Sequence, residues 1–231
     1  MRSPPFGDAR IAIYYAPLRD DPLTALATTW LGRDPVTGAP VPQPGLPGIK
    51  EITAEPRRYG FHATLKPPMR LAPNRTWSEL MTAVRAVAAS LAPFDLPRLA
   101  VNDLHGFLAL RETIPCPELQ VLADVCVKQL DGFRAPPSEA EVAHRRTARL
   151  SAEQDAMLLR WGYPYVFGTW FFHLTLTRRL SEQEKTVLLP AAEAWFAPAL
   201  DVRRRVTDLC VFTQVGPDAP FQIAERVRLW G

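Results

Sequence analysis

The sequence predicts an α+β fold built from one unit used twice, with two mainly antiparallel sheets flanking a central groove and helices on the outside. Three repeated features carry this, two of them in register at 105 residues. Capping boxes at Thr76-Trp-Ser-Glu79 and Ser181-Glu-Gln-Glu184 open two helices whose starts lie 105 residues apart. The string Val101-x-Asp103-Leu104-x-x-Phe107 returns as Val206-x-Asp208-Leu209-x-x-Phe212, again at 105. Upstream of each helix, Phe61-His-Ala-Thr-Leu65 returns as Phe172-His-Leu-Thr-Leu176 at an offset of 111. The first copy therefore carries six additional residues before its helix, Lys66-Pro67-Pro68 among them.

Taken in order, Arg10 to Ala16 is β-branched and aromatic and reads as a strand, followed by a short helical stretch near Leu23 to Leu31. Five prolines and three glycines between Pro35 and Gly48 make a long loop. Residues 61–65 alternate at the strand period of two, with Phe61, Ala63 and Leu65 on one face and His62, Thr64 and Lys66 on the other. A helix follows from Thr76 to about Leu91, with Leu80, Val84, Val87 and Leu91 on one side, and Ala92-Pro93 ends it. In the second half Phe107 to Leu110 forms a strand, and an amphipathic helix runs through Leu119, Leu122, Cys126 and Leu130. A further helix opens at Ser138-x-x-Glu141 and continues toward Trp161, carrying Arg145, Arg146 and Arg149. The second motif strand and its helix close the pattern, with Ala197-Pro198 as the stop. The organisation expected is a single bilobal domain, with lobes at about residues 8–107 and 108–231 and a helical insert at about 116–161.

Composition narrows the class. Of 231 residues 47% are hydrophobic and 22% charged, the balance of a globular protein rather than a disordered chain. The net charge of +3 favours an anionic small substrate without demanding a polyanion, so RNA is the less favoured partner. Three cysteines without CxxC spacing read as reduced thiols. No apolar stretch is long enough to span a membrane, and the short run from Ile11 to Ala16 is no secretory signal, so the expected location is the cytoplasm. Monomer is the default for a bilobal chain without heptads.

The sharpest chemical signal is the pair of H-x-T motifs, His62/Thr64 and His173/Thr175. A pseudo-two-fold repeat would bring both strands to one groove. Two imidazoles with an ordinary pKa near 6.5 can then act as base and acid on a phosphodiester. One deprotonates the attacking hydroxyl and the other protonates the leaving oxygen, while the threonine hydroxyls hold non-bridging oxygens. This needs no metal or other cofactor. The four histidines show no HxH, HxxxH or HExxH spacing, and two fall short of a three-ligand zinc site. Strand parity adds secondary candidates for substrate binding. Lys66 and Arg58 share the motif face and could balance a second phosphate. Tyr14 is placed to look into the groove while Tyr15 packs in the core. Tyr163 and Tyr165 share one strand face beside the second motif.

Paired H-x-T motifs about a hundred residues apart in a duplicated α+β chain resemble the 2H phosphoesterase superfamily, which includes cyclic phosphodiesterases and RNA 2′-5′ ligases of the LigT type. The strings Arg58-Tyr-Gly-Phe-His-Ala-Thr-Leu-Lys-Pro-Pro68, Trp161-Gly-Tyr-Pro-Tyr165 and Phe172-His-Leu-Thr-Leu-Thr177 look like one branch of it, encoded beside phosphonate-utilisation genes and long without a function. The resemblance implies a bilobal fold in which His62 and His173 act as acid and base and Thr64 and Thr175 hold the phosphate. It favours His173 as the base and His62 as the acid. The function expected is metal-independent hydrolysis of a small cyclic or nucleotide-like phosphodiester, in phosphonate metabolism. The alternatives are an RNA-end 2′,3′-cyclic phosphodiesterase or 2′-5′ ligase and, from another class, a non-catalytic module that binds phosphorylated ligands.

Overall fold

The computed structural model describes residues 9–231, so the expected first-lobe start at residue 8 lies outside the described residues. The first repeat supplies β1 (Arg10–Tyr15), α1 (Pro22–Leu31), two short helices α2 (Ile49–Ile52) and α3 (Ala54–Tyr59), β2 (Ala63–Arg70), α4 (Trp77–Ala89), β3 (Phe94–Leu96) and β4 (Leu99–Leu104). The second supplies β5 (Phe107–Glu112), α5 (Pro117–Leu130), α6 (Glu139–Arg146), α7 (Ala152–Trp161), β6 (Leu174–Arg179), α8 (Glu182–Leu200), β7 (Arg204–Val206), β8 (Asp208–Gln214) and a last strand, β9 (Gln222–Arg228). Both repeat helices start as the capping boxes require, the Thr76 and Ser181 side chains accepting from the Glu79 and Glu184 amides.

The strands form an antiparallel sheet in the order β2-β1-β8-β9, a second in the order β4-β5-β6, and a small β3-β7 pair. The boundary expected at 107/108 does not separate these sheets. Strands β8 and β4 cross over: β8 hydrogen-bonds to β1 of the first repeat, and β4 to β5 of the second. Helices cross over as well, since α5 packs on β2, and α1 packs on α8 and β6. Sequence periodicity reports which residues share a face, and it carries no information on which strand takes which partner.

Three local expectations change. The helix expected to run from Ser138 to Trp161 is two helices, because Arg149 turns into the left-handed region (φ 52°) and Ser151 caps α7 with Gln154. Helix α8 continues through Pro190 and Pro198 to Leu200. Each proline forfeits an intrahelical bond, but burial of Phe196 and Ala199 in the core holds the last turns. Finally, β2 runs straight through Lys66-Pro67-Pro68. It is an edge strand of its sheet, where a missing amide donor is tolerated.

One large core joins both halves. It takes Ile11, Ile13 and Tyr15 from β1, Leu65 from β2, Val84 from α4 and Phe172, Leu174 and Leu176 around the second motif. At its centre Trp30 is fully buried against Trp195 and Phe196, and its indole N–H donates to the Leu176 carbonyl at 3.1 Å. The opposite face of β1 packs a smaller cluster of Ala12, Tyr14, Cys210, Phe212 and Phe221. Tyr14 and Tyr15 thus separate to the two faces as strand parity requires.

Candidate active site

His62 enters the site from the turn that joins α3 to β2. Gly60 caps α3 at φ 80° and ψ 173°, a conformation open only to glycine, and this turns its carbonyl onto His62 Nδ1 at 2.9 Å. With Nδ1 engaged as donor, Nε2 is the free lone pair, and the Thr64 hydroxyl lies 3.3 Å from it. The ring stacks on Tyr14, centroids 3.7 Å apart and planes 22° off parallel. A Cβ at Gly60 would come within 3.2 Å of Pro35 and 3.3 Å of the Arg33 guanidinium. Gly60→Ala is therefore expected to cost about 1–3 kcal/mol, read as a lower unfolding midpoint, and to loosen the His62 tautomer, read as reduced turnover.

His173 is built the same way in the second repeat. Its Nδ1 donates to the Phe171 carbonyl at 3.1 Å, again two residues upstream, and Phe171 and Phe107 flank the ring. Trp170 ties the two motifs together: its indole N–H donates to the Thr64 carbonyl at 2.7 Å. Burial lowers both imidazoles, that of His62 to about 4. The carbonyl bonds from Gly60 and Phe171 act the other way, and the His173 charge further disfavours a proton on His62.

His62, Thr64, His173 and Thr175 all line one groove of about 330 Å³. A second chamber of about 440 Å³ shares Thr64, Phe107 and His173 with it and continues between Tyr165, Trp170 and Phe171. Among the described residues no three His, Cys, Asp or Glu side chains gather as a metal site.

The secondary candidates divide. Tyr14 lines the groove, buried, with its phenol pKa raised by that burial. Tyr163 lines both chambers and Tyr165 the second, their rings meeting edge-on at 5.6 Å. They do not lie on a strand; they follow the left-handed Gly162 cap of α7 (φ 75°). Lys66 is not in the groove. Register along β1 runs Tyr14↔Thr64 and then Ile13↔Lys66, so Leu65 is an extra residue that flips Lys66 to the core face. There it is 1% exposed, 3.3 Å from the Val127 carbonyl and 3.5 Å from Asp131, with its pKa lowered by burial to about 8. Arg58 is exposed on α3 and does not line the groove, because its segment is helical and strand parity does not apply. The groove also takes Tyr59, Phe107, Arg145, Arg178 and Arg179, none of them assigned to it from the sequence. Only Arg179 left a signal there, on the parity of His173 and Thr175.

Residues 64–222 match the family described as "Protein of unknown function (DUF1045)". The chain belongs to this family. The DUF1045 chain is 40% identical over 231 residues to a protein of Janthinobacterium sp. (strain Marseille), covering 96% of the chain and 51% of that protein. It is 35% identical over 222 residues to one of Laribacter hongkongensis (strain HLHK9), covering 95% and 52%. Both are named "Ribose 1,5-bisphosphate phosphokinase PhnN", and the DUF1045 chain spans about half their length. Among solved structures it is similar to E. coli LigT complexed with 3′-AMP, at 14% identity and TM-score 0.46, covering 97% of this chain and 100% of that one. It is also similar to Kluyveromyces marxianus Usb1, at 13% identity and TM-score 0.36, covering 93% and 97%. Among the described residues of the DUF1045 chain, no helix is long and apolar enough to cross a membrane.

Proposed function

We propose that this chain is a two-histidine phosphodiesterase that hydrolyses a small cyclic phosphodiester without a metal. The observation that supports this reading is the convergence of both H-x-T motifs on one groove, each imidazole fixed by the carbonyl two residues upstream and offering Nε2. In the proposed reaction His62 takes a proton from water and the oxygen attacks phosphorus. The bond from phosphorus to the leaving oxygen breaks, and His173 delivers a proton to that oxygen. The sum is addition of one water, with the histidines' protonation states exchanged and restored through solvent. Thr64 and Thr175 donate to the non-bridging oxygens, the Thr64 hydroxyl turning away from Nε2 to do so. His62 takes the role of base because burial keeps it neutral down to about pH 4, the reverse of the order the family resemblance favours.

The pathway reading rests on the relatives. They are named for a kinase of ribose 1,5-bisphosphate and extend well beyond the region this chain matches. This sequence has no G-x-x-x-x-G-K-[ST] phosphate loop, so we assign the kinase name to the remaining length of those proteins. A partner activity that opens a cyclic phosphate on ribose would deliver a phosphomonoester to such a kinase, which suits phosphonate breakdown. The test is phosphorus NMR of the purified protein in excess EDTA against 2′,3′-cyclic nucleotides, a ribose cyclic phosphate and a 2′-5′ dinucleotide. Turnover by the parent and not by the His62→Ala/His173→Ala double variant supports the reading. Turnover that EDTA abolishes, or that survives in the double variant, overturns it.

A further inference from the structure

We infer that Arg145 reads a second, separate phosphate on the substrate, so that the class acted on is a cyclic phosphodiester that also bears a terminal phosphomonoester. The inference deepens the proposed function and rests on it only for the catalytic arm of its test.

Three arginines line the groove. Arg178 is held by the Glu184 carboxylate at 2.8 and 3.2 Å, while Arg179, without a carboxylate partner among the described residues, gives one amino group to the His105 carbonyl at 2.6 Å. Arg145 has no carboxylate within 4.0 Å among the described residues; its contact is the face of Tyr163, 4.9 Å from the guanidinium carbon. A guanidinium lying on a ring keeps its N–H edge for a planar anion, and bidentate pairing with phosphate oxygens is what that fork fits best.

The surroundings hold this cation in place. Helix α6 is clamped to β2, the strand of the first motif, by a two-pronged Arg70–Glu141 pair at 2.6 and 2.8 Å. Arg145 follows Glu141 by four residues and so shares its face of the helix. The neighbouring Arg146 is spent on Asp155, which ties α6 to α7 and thereby to the Gly162 turn that presents Tyr163. The Arg145 charge also reaches the groove floor, where it stabilises the phenolate forms of Tyr14 and Tyr163 against the effect of burial. The other cations that strand parity offered for a second phosphate are absent from the groove, Lys66 lying in the core and Arg58 on the outer surface of α3. The groove's lining includes one carboxylate, Glu55, which has no ion pair with Arg145.

Two arms test this on the full chain, with Arg145→Gln and Arg145→Lys compared with the parent after thermal melts establish that both variants fold. The binding arm is calorimetry with adenosine 3′-phosphate and adenosine 3′,5′-bisphosphate. The parent should hold the bisphosphate about 10- to 100-fold tighter. Arg145→Gln should close most of that gap, and Arg145→Lys, which keeps the charge without the fork, should close part of it. The catalytic arm compares kcat/KM for adenosine 2′,3′-cyclic phosphate with and without a 5′-phosphate. Arg145→Gln should lose about tenfold more on the 5′-phosphorylated compound. Equal affinity of the parent for mono- and bisphosphate, or an unchanged gap in Arg145→Gln, overturns the inference. A gap that closes in the variant while neither cyclic compound is turned over retains the Arg145 inference and removes the hydrolase reading instead.

Discussion

Alanine at either His62 or His173 is expected to lower kcat/KM for the cyclic phosphodiester by about 10²–10⁴-fold, the range a positioned proton donor or acceptor contributes. Each removes an Nε2 that the Gly60 or Phe171 carbonyl has aimed into the groove. The pH profile separates their roles. A base with its pKa near 4 sets the acid limb of kcat/KM there, and His173, lowered by burial, sets the alkaline limb below the usual imidazole value. The free-enzyme optimum should therefore lie on the acid side of neutrality. A bound phosphate favours the protonated imidazoles, so the kcat profile should shift to higher pH than that of kcat/KM. Rate measurements from pH 3.5 to 9 check both statements, and a flat profile would remove the histidines from proton transfer.

The largest stability effect is expected at Trp30. Truncation to alanine removes a fully buried indole from between Trp195 and Phe196 and leaves the Leu176 carbonyl without its donor. The cavity alone is expected to cost about 3–5 kcal/mol, a fall in Tm of roughly 6–20 °C for a chain of this length. Trp30→Phe keeps most of the packing and loses the hydrogen bond, so its cost should be about 1–3 kcal/mol. Differential scanning calorimetry of the two variants separates packing from the bond. Leu176 lies directly after Thr175, so Trp30→Phe also shows whether the backbone of β6 needs that anchor to keep the second motif active.

The chemistry was legible because it is written at short range. H-x-T on a strand puts both side chains on one face whatever the tertiary fold, and a duplicated pattern implies two such faces. The capping boxes at Thr76 and Ser181 are similarly local, a hydroxyl and a carboxylate three residues apart. What stayed hidden depends on a partner. Lys66 falls on the motif face only if β2 is regular; the extra residue at Leu65 exists because of how β2 pairs with Tyr14 and Ile13. Arg145 reads as one of a run of surface arginines until Glu141 is seen to dock on Arg70. The Gly60 turn leaves only its glycine as a trace, and the division of α6 from α7 leaves a fourth capping box, Ser151-x-x-Gln154, inside a segment whose composition reads as continuous helix.

The exchange of β4 and β8 between the repeats has a dynamic consequence. Domain closure by a hinge needs two bodies joined by a few segments that absorb the change in φ and ψ. Here the two sheets share a single core, each contains or abuts elements of both repeats, and the polypeptide passes between them at several points. Trp170 adds a direct tether from the segment before one histidine to the strand of the other. The span between the imidazoles is thus a fixed dimension of the scaffold, like the gap of a caliper locked at one setting. Accommodation of a longer or bulkier substrate falls to the parts of the wall that belong to neither sheet, α3 and the α6–α7 insert.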